Sequence, residues 1–201
     1  AVPGGNSGAV VPSPPPVRAT MLGGIPVADH LTRSELLLGQ RSGEVGSVHS
    51  WELVTAVDGP GTRMTTFVAG CPLRCLWCHN PESQEARPEI SLAPEKCVGC
   101  GKCSSVCPAG AARDGLLDRE KCVRCGKCAE LCHARAREVV GRVMSVGEVI
   151  DEVLKDRLFY DTSGGGMTLS GGEPMAEFEF SLELLRQAKE AGLHAAMETC
   201  G

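Results

Sequence analysis

The sequence predicts an α/β fold interrupted by a separate cysteine-rich module. Three observations predict it. Strand-like and helix-periodic segments alternate on both sides of the module, as in a parallel α/β sheet. Twelve of the 201 residues are cysteine, and eight of these lie between residues 94 and 137. Glycine clusters mark where the predicted strands begin and end.

Residues 1–45 read as a disordered Pro/Gly-rich segment, because Pro12, Pro14, Pro15 and Pro16 sit among Gly, Ser and Val and favour an extended, solvated chain. The chain opens on Ala1, and Met21 is a candidate start with upstream sequence attached. Residues 46–93 form the first part of the sheet. Ser47 to Val57 reads as a short strand, Asp58-Gly59-Pro60-Gly61 as a turn, and Met64 to Ala69 as a second strand ending at Gly70-Cys71. Residues 94–137 are the cysteine module, which repeats internally: Cys97-Val98-Gly99-Cys100-Gly101-Lys102-Cys103 recurs as Cys122-Val123-Arg124-Cys125-Gly126-Lys127-Cys128. Residues 138–201 resume the sheet. Ser145 and Glu148 make a capping-box signature, followed by Val146, Val149, Ile150, Val153 and Leu154 on one helical face. Met167 to Leu169 reads as a strand. Residues 176–191 read as a helix with Phe178, Leu182, Leu185 and Ala188 inward and Gly192 at its end, and His194 to Met197 as a further strand. A complete eight-unit (β/α) barrel takes about 250 residues. Three parallel strands therefore predict an incomplete barrel with a raw edge after Gly201.

Composition excludes several classes. No basic segment followed by an apolar stretch marks a signal peptide, and no apolar run approaches the roughly 20 residues that span a bilayer. No membrane association is expected. Cysteine richness without a secretory signal points to metal ligands in a reducing cytoplasm rather than to disulfides. The net charge of -5 is uneven: the module carries nine Lys and Arg against five Asp and Glu, and residues 138–201 carry five against twelve. A basic patch can mark nucleic-acid binding, but the module is almost without aromatics and the rest of the chain is acidic, so no nucleic-acid partner is expected. Two oxidised 4Fe–4S clusters, each about -2, would offset the module's +4.

Cys71, Cys75 and Cys78 have the spacing C-x3-C-x2-C. Three thiolates can hold three irons of a 4Fe–4S cluster and leave the fourth open to a ligand. Zinc would want four ligands, commonly from paired C-x2-4-C elements. His79, adjacent to Cys78, is poorly placed as a fourth. The second constellation is Cys97, Cys100, Cys103 and Cys107, then Cys122, Cys125, Cys128 and Cys132, each run C-x2-C-x2-C-x3-C. This is the two-cluster ferredoxin pattern, in which the last cysteine of each run ligates the other cluster. It assigns Cys97, Cys100, Cys103 and Cys132 to one cluster and Cys107, Cys122, Cys125 and Cys128 to the other. A double zinc ribbon would not need the doubled spacing. His133 stands where a proline usually follows the last cysteine. Cys200 reads as a buried core thiol, and His30, His49 and His194 as structural or exposed.

The run from Asp58 to Arg63, Gly70-Cys71-Pro72-Leu73-Arg74-Cys75-Leu76-Trp77-Cys78-His79-Asn80-Pro81-Glu82, the stretch from Ser163 to Pro174, and Met197-Glu198-Thr199-Cys200-Gly201 together resemble the glycyl-radical enzyme activating enzymes of the radical S-adenosylmethionine (SAM) superfamily. The resemblance covers about residues 46–201. It implies an incomplete radical SAM barrel carrying a ferredoxin-like insert, with three 4Fe–4S clusters and SAM as cofactors. It implies that reductive cleavage of SAM yields a radical that abstracts a glycine hydrogen from a partner glycyl-radical enzyme under anaerobic conditions, with a flavodoxin or ferredoxin-type protein as reductant. It puts Trp77, Cys78 and His79 around the cofactor, Gly171, Gly172 and Glu173 at the SAM amino group, and Glu198 and Thr199 at SAM or a nearby cation. The pyruvate formate-lyase type usually lacks the insert, which tilts the expected partner toward enzymes acting on diols, choline or arylacetates. Relative to that family the chain reads as C-terminally truncated, so it is expected to assemble its clusters but turn SAM over poorly. The competing readings are a ferredoxin-like electron-transfer protein and an inactive activase fragment.

Overall fold

A computed structural model of the chain describes residues 20–22, 25–27 and 42–201. In chain order the elements are β1 (Thr20–Leu22), β2 (Ile25–Val27), β3 (Val45–Thr55), β4 (Arg63–Val68), β5 (Glu89–Leu92), α1 (Lys102–Val106), β6 (Ala112–Arg113), β7 (Leu116–Leu117), α2 (Lys127–Glu130), β8 (Arg137–Val140), β9 (Arg142–Ser145), α3 (Val146–Leu154), α4 (Arg157–Ser163), β10 (Gly166–Gly171), α5 (Phe178–Glu190) and β11 (His194–Met197). Within the segment read as disordered, β1 and β2 pair antiparallel, and β2 meets β9 through Val27 and Val143. The rest of that segment up to residue 41 lies outside the described residues.

The main sheet is mixed, in the order β1-β2-β9-β3-β4-β10-β11. Strands β4, β10 and β11 are parallel, with Met64 opposite Met167 and Met167 opposite Ala195. Strand β3 is antiparallel to both β4 and β9. The expectation of a purely parallel sheet is corrected here. The link between β3 and β4 covers only residues 56–62, and a parallel crossover needs a dozen residues or more. Strand β3 has the length its sequence suggests but starts and ends two residues earlier, and two register shifts, between Val48 and Ser50 and between Glu52 and Thr55, interrupt its pairing with β4.

Helix α3 begins as its sequence requires. The Ser145 side chain accepts from the Glu148 N–H, and the Glu148 carboxylate accepts from the Ser145 N–H at 2.8 Å. Its Val146, Val149, Ile150 and Val153 are buried. Helix α5 ends in a Schellman pair, Leu193 N–H to Ala188 C=O and Gly192 N–H to Lys189 C=O, with Gly192 at φ +79. The inward face expected for α5 is corrected in part: Ala188 is buried and Leu185 packs against the core as expected, but Phe178 and Leu182 are half exposed, and Phe180, Ser181 and Leu184 are buried instead. The helix carries two apolar stripes, and Gly46 decides between them. A Cβ on Gly46 would sit 2.2 Å from the Phe180 ring, so the missing side chain in β3 is the slot that Phe180 fills. The sheet and the α3 and α5 faces close one core around Val48, Met64, Val68, Val149, Val153, Met167, Leu169 and Leu184.

The cysteine-rich stretch is carried on β5 and β8, which pair antiparallel from Glu89–Val140 to Leu92–Arg137. Within it, β6 and β7 form a hairpin, and the buried Arg137 guanidinium donates to the carbonyls of Arg113 and Leu116, both at 2.5 Å. Among the described residues, no helix is long and apolar enough to cross a membrane.

Candidate metal centre

The three motifs from distant parts of the chain meet at the carboxyl ends of the three parallel strands, where ligands bind in open α/β sheets. Gly70-Cys71 follows β4, Gly171 to Glu173 follow β10, and Glu198 to Cys200 follow β11. Backbone bonds lock them together. Glu173 N–H donates to Gly70 C=O at 2.7 Å, and Gly172 N–H to Val68 C=O at 2.8 Å. A Cβ on Gly172 would lie 2.2 Å from the Gly70 oxygen, so this glycine lets one chain lie against another. Cys71 N–H donates to Gln84 C=O and Gly70 N–H to Ser83 C=O, which pins the loop after Cys78 back onto the strand end.

Glu173 is the centre of the site. It is 4% exposed. One oxygen accepts from Met175 N–H and Thr199 Oγ1, both at 2.8 Å, and the other from Cys200 N–H at 2.7 Å. Burial pushes its pKa up, but the Cys200 thiol and backbone, Met175 N–H and Thr199 hydroxyl outweigh burial and hold it below the ordinary carboxylate value. The Cys200 thiol is in turn pushed up to about 11, mainly by the adjacent Glu173 carboxylate, with burial and Cys71 adding to the shift. Cys200 is therefore no core residue. It is exposed, and its backbone N–H is held by the Glu173 carboxylate. Sequence reading missed it because nothing local separates a buried thiol from one at a strand end. The Ser170 hydroxyl, also missed, donates to Glu198 at 2.6 Å.

Cys71, Cys75 and Cys78 are partly exposed on one loop, with a turn from Cys78 N–H to Cys75 C=O. Leu76, Trp77 and His79 project to solvent, Trp77 at 84% exposure. Asp58-Gly59-Pro60-Gly61 lies at the other end of the strands. Its Asp58 carboxylate accepts from Thr55 and Thr65, and the fully buried Arg63 donates to Thr168 Oγ1, Met167 C=O and Pro60 C=O. That end is a buried polar knot that ties the turn to β4 and β10.

In the module, a cavity of about 100 Å³ is lined by Cys97, Cys100, Cys103 and Cys132, together with Cys128, Leu92 and Arg137. The Cys128 thiol is pushed up first by burial, opposed by Arg137, and further by the thiols of Cys122, Cys125 and Cys107 around it. Cysteines of both runs thus lie side by side in the module. Burial raises the Cys107 thiol, but backbone N–H groups from Ala109 to Ala112 lower it further, and Ala111 N–H reaches its sulfur at 3.2 Å. All twelve cysteines are free. Among the described residues, no three Cys, His, Asp or Glu side chains converge on one point as a single ion requires. Thiolates on separate corners of a cubane need no such convergence.

A family model described as "4Fe-4S single cluster domain" matches residues 57–201. The benzylsuccinate synthase activating enzyme of Thauera aromatica is 52% identical over 151 residues, covering 71% of this chain and 46% of that protein. The trans-4-hydroxy-L-proline dehydratase activating enzyme of Clostridioides difficile is 51% identical over 149 residues, covering 72% and 49%. The choline trimethylamine-lyase activating enzyme of Oleidesulfovibrio alaskensis is 44% identical over 151 residues, covering 72% and 49%. The chain spans about half the length of these curated relatives. With the matched region holding all twelve cysteines and every strand-end motif, the chain belongs to the 4Fe–4S single cluster domain family.

Proposed function

We propose that the chain is the cluster-bearing part of a radical SAM activase, which reductively cleaves SAM and generates a glycyl radical on a partner glycyl-radical enzyme. The observation that carries this reading is the convergence of Cys71, Glu173 and Thr199-Cys200 at the ends of three parallel strands, locked by the Glu173 carboxylate. On this reading the parallel strands belong to a (β/α) barrel, and residues 94–137 are a ferredoxin-like insert with two further 4Fe–4S clusters.

The donor set fits the group. Cys71, Cys75 and Cys78 hold three irons on an exposed loop and leave the fourth open. Cys97, Cys100, Cys103 and Cys132 hold one insert cluster, and Cys107, Cys122, Cys125 and Cys128 the other. When bound, the open cluster supplies the electron that splits a carbon–sulfur bond of SAM. The protein's own part is to bind and orient. An ionised carboxylate offers about four acceptor positions. Three on Glu173 are taken by Met175, Thr199 and the Cys200 backbone. The fourth is where a SAM ammonium would bind. Ser170 holds the Glu198 carboxylate at the end of β10, the strand that leads to Glu173. Trp77, exposed beside Cys78, folds over the adenine. A flavodoxin or ferredoxin-type protein serves as reductant. The relatives' names support a partner other than pyruvate formate-lyase.

The test is iron and sulfide per chain after anaerobic reconstitution, with EPR of the reduced sample before and after SAM. About twelve irons, four per cluster, with one signal altered by SAM, is the expected result. About eight irons and no response to SAM would replace this reading by a ferredoxin-like electron carrier.

A further inference from the structure

Two arginines from two different cysteine motifs end on one carboxylate. Arg74 lies between Cys71 and Cys75, and its guanidinium is 3.3 Å from Glu85. Arg124 lies between Cys122 and Cys125, and its guanidinium is 3.6 Å from the other Glu85 oxygen and 3.0 Å from Glu89. Arg119 closes the series on Glu89 at 3.2 Å. Five alternating charges therefore run from the C-x3-C-x2-C loop to the second run of the module.

The backbone supplies an independent sign. The two cysteine runs are copies, and Arg124 occupies the position that Gly99 holds in the first. Both are left-handed, Gly99 at φ +65 and Arg124 at φ +55. Glycine takes that conformation without a steric cost, whereas a side chain there is strained. Strain at an observed outlier is a ground for seeking a role, and the role available to Arg124 and not to glycine is the pair of carboxylates.

The β5–β8 ladder gives the scale. At its base, Gly141 lies against Val48 and Pro88, next to the main sheet. One rung out, Ile90 belongs to an apolar cluster with Cys103, Ala112 and Cys128, and Cys107, Cys122 and Val139 pack against it. Two rungs further, Leu92 and Arg137 line the cavity that holds Cys97, Cys100 and Cys132 together with Cys103 and Cys128, about 7 Å farther from the sheet at 3.4 Å per residue.

We propose that Arg124 is a positioning residue, a strap that holds the Cys107, Cys122, Cys125 and Cys128 set against the Cys71–Cys78 loop, so that this set faces the catalytic loop and the Cys97, Cys100, Cys103 and Cys132 set lies beyond it. The inference rests on the ligand assignment proposed above. Its pairs are partly exposed, so added salt weakens the strap.

The experiment uses the anaerobically reconstituted chain as wild type, Arg124→Gly, Arg124→Lys and Glu85→Gln. Arg124→Gly puts into the second run the residue of the first, so the turn is kept and iron stays at about twelve per chain. The magnetic broadening between reduced clusters in the EPR spectrum is then expected to narrow, and amide exchange at residues 85–89 to quicken about fivefold, as for loss of partly exposed ion pairs. Arg124→Lys keeps the charge without the planar fork and falls between. Glu85→Gln, which alters no cysteine run, reproduces the glycine effect. Wild-type iron, line shape and exchange in both Arg124→Gly and Glu85→Gln would overturn the strap alone. A wild-type chain with only about four irons would overturn the ligand assignment, and the strap with it.

Discussion

Taking a carboxylate out of water favours its protonated form, yet Glu173 is held below its ordinary value by donors from Met175, Thr199 and Cys200. The arrangement makes the charge depend on shape. Glu173→Gln keeps the shape but turns one acceptor oxygen into a donor. Whichever way the amide flips, it opposes either Met175 N–H and Thr199 or Cys200 N–H. An unmatched buried donor costs about 1–3 kcal/mol. The variant is therefore expected to lower the unfolding free energy by that amount, seen as a lower urea midpoint at an unchanged slope, and to abolish the SAM-dependent change in the EPR spectrum. The sign of the pH dependence follows from the depressed value. A depressed acid contributes its stability above its unfolded pKa and loses it as pH falls through the folded one. The gap between wild type and variant should stay flat from pH 7 to pH 5 and narrow only below the ordinary value of 4.5. A gap that shrinks between pH 7 and pH 5 would mean that Glu173 is not ionised in the folded chain.

At the scale of elements, the ends of β4 and β10 interlock so closely that Gly172 touches Gly70 backbone, one residue before Cys71. Gly172→Ala places a methyl group 2.2 Å from the Gly70 oxygen and 2.8 Å from the Ser83 oxygen, the two residues that flank the cysteine loop. The expected outcome is selective: iron falls from about twelve to about eight per chain, the signal lost is the one that responds to SAM, and the insert signals persist. Equal loss from all signals would show that the strand ends do not position this loop separately. The same elements show what the sequence could and could not reveal. Helix α3 was legible because Ser145 and Glu148 carry a local signal and a single apolar face follows. Helix α5 was legible in extent but not in orientation, since the choice of Phe180 over Phe178 is made by Gly46, far away in the chain. Strands β5 and β8 were missed because each is four residues long and its pairing partner lies across the module. The short α4 was missed because it buries only Tyr160. The cysteine spacings were legible as motifs, whereas the Cys200 contact with Glu173 and the Arg63 knot exist only once the strands are side by side.

For the molecule as a whole, the two parts differ in what can hold them folded. The main core gathers fifteen buried hydrophobic side chains from the sheet, α3, α4, α5 and the turn after α5. The module's cluster has four buried members, Ile90, Cys103, Ala112 and Cys128, and two of them are thiols. A core that small cannot offset the entropy of ordering some forty residues at about 1–2 kcal/mol each for the backbone alone, so the module must draw its stability from whatever its cysteines bind. Where ligands are brought together by the metal, the binding free energy is folding free energy. The ion pairs at its base are too exposed to substitute, at about 0–1 kcal/mol each. Anaerobic removal of iron with a chelator is therefore expected to open residues 94–137 while the sheet survives. Limited trypsin digestion checks this directly, because the module holds nine Lys and Arg. In the iron-loaded chain these sites should be slow. After chelation, cuts should concentrate between Lys96 and Arg137 and leave a resistant fragment containing α3, β10, α5 and β11, with the far-UV helix signal of α3 and α5 retained. Digestion that spreads evenly through residues 142–201 at the same rate would show instead that sheet and module fold as one cooperative unit, with the clusters stabilising both.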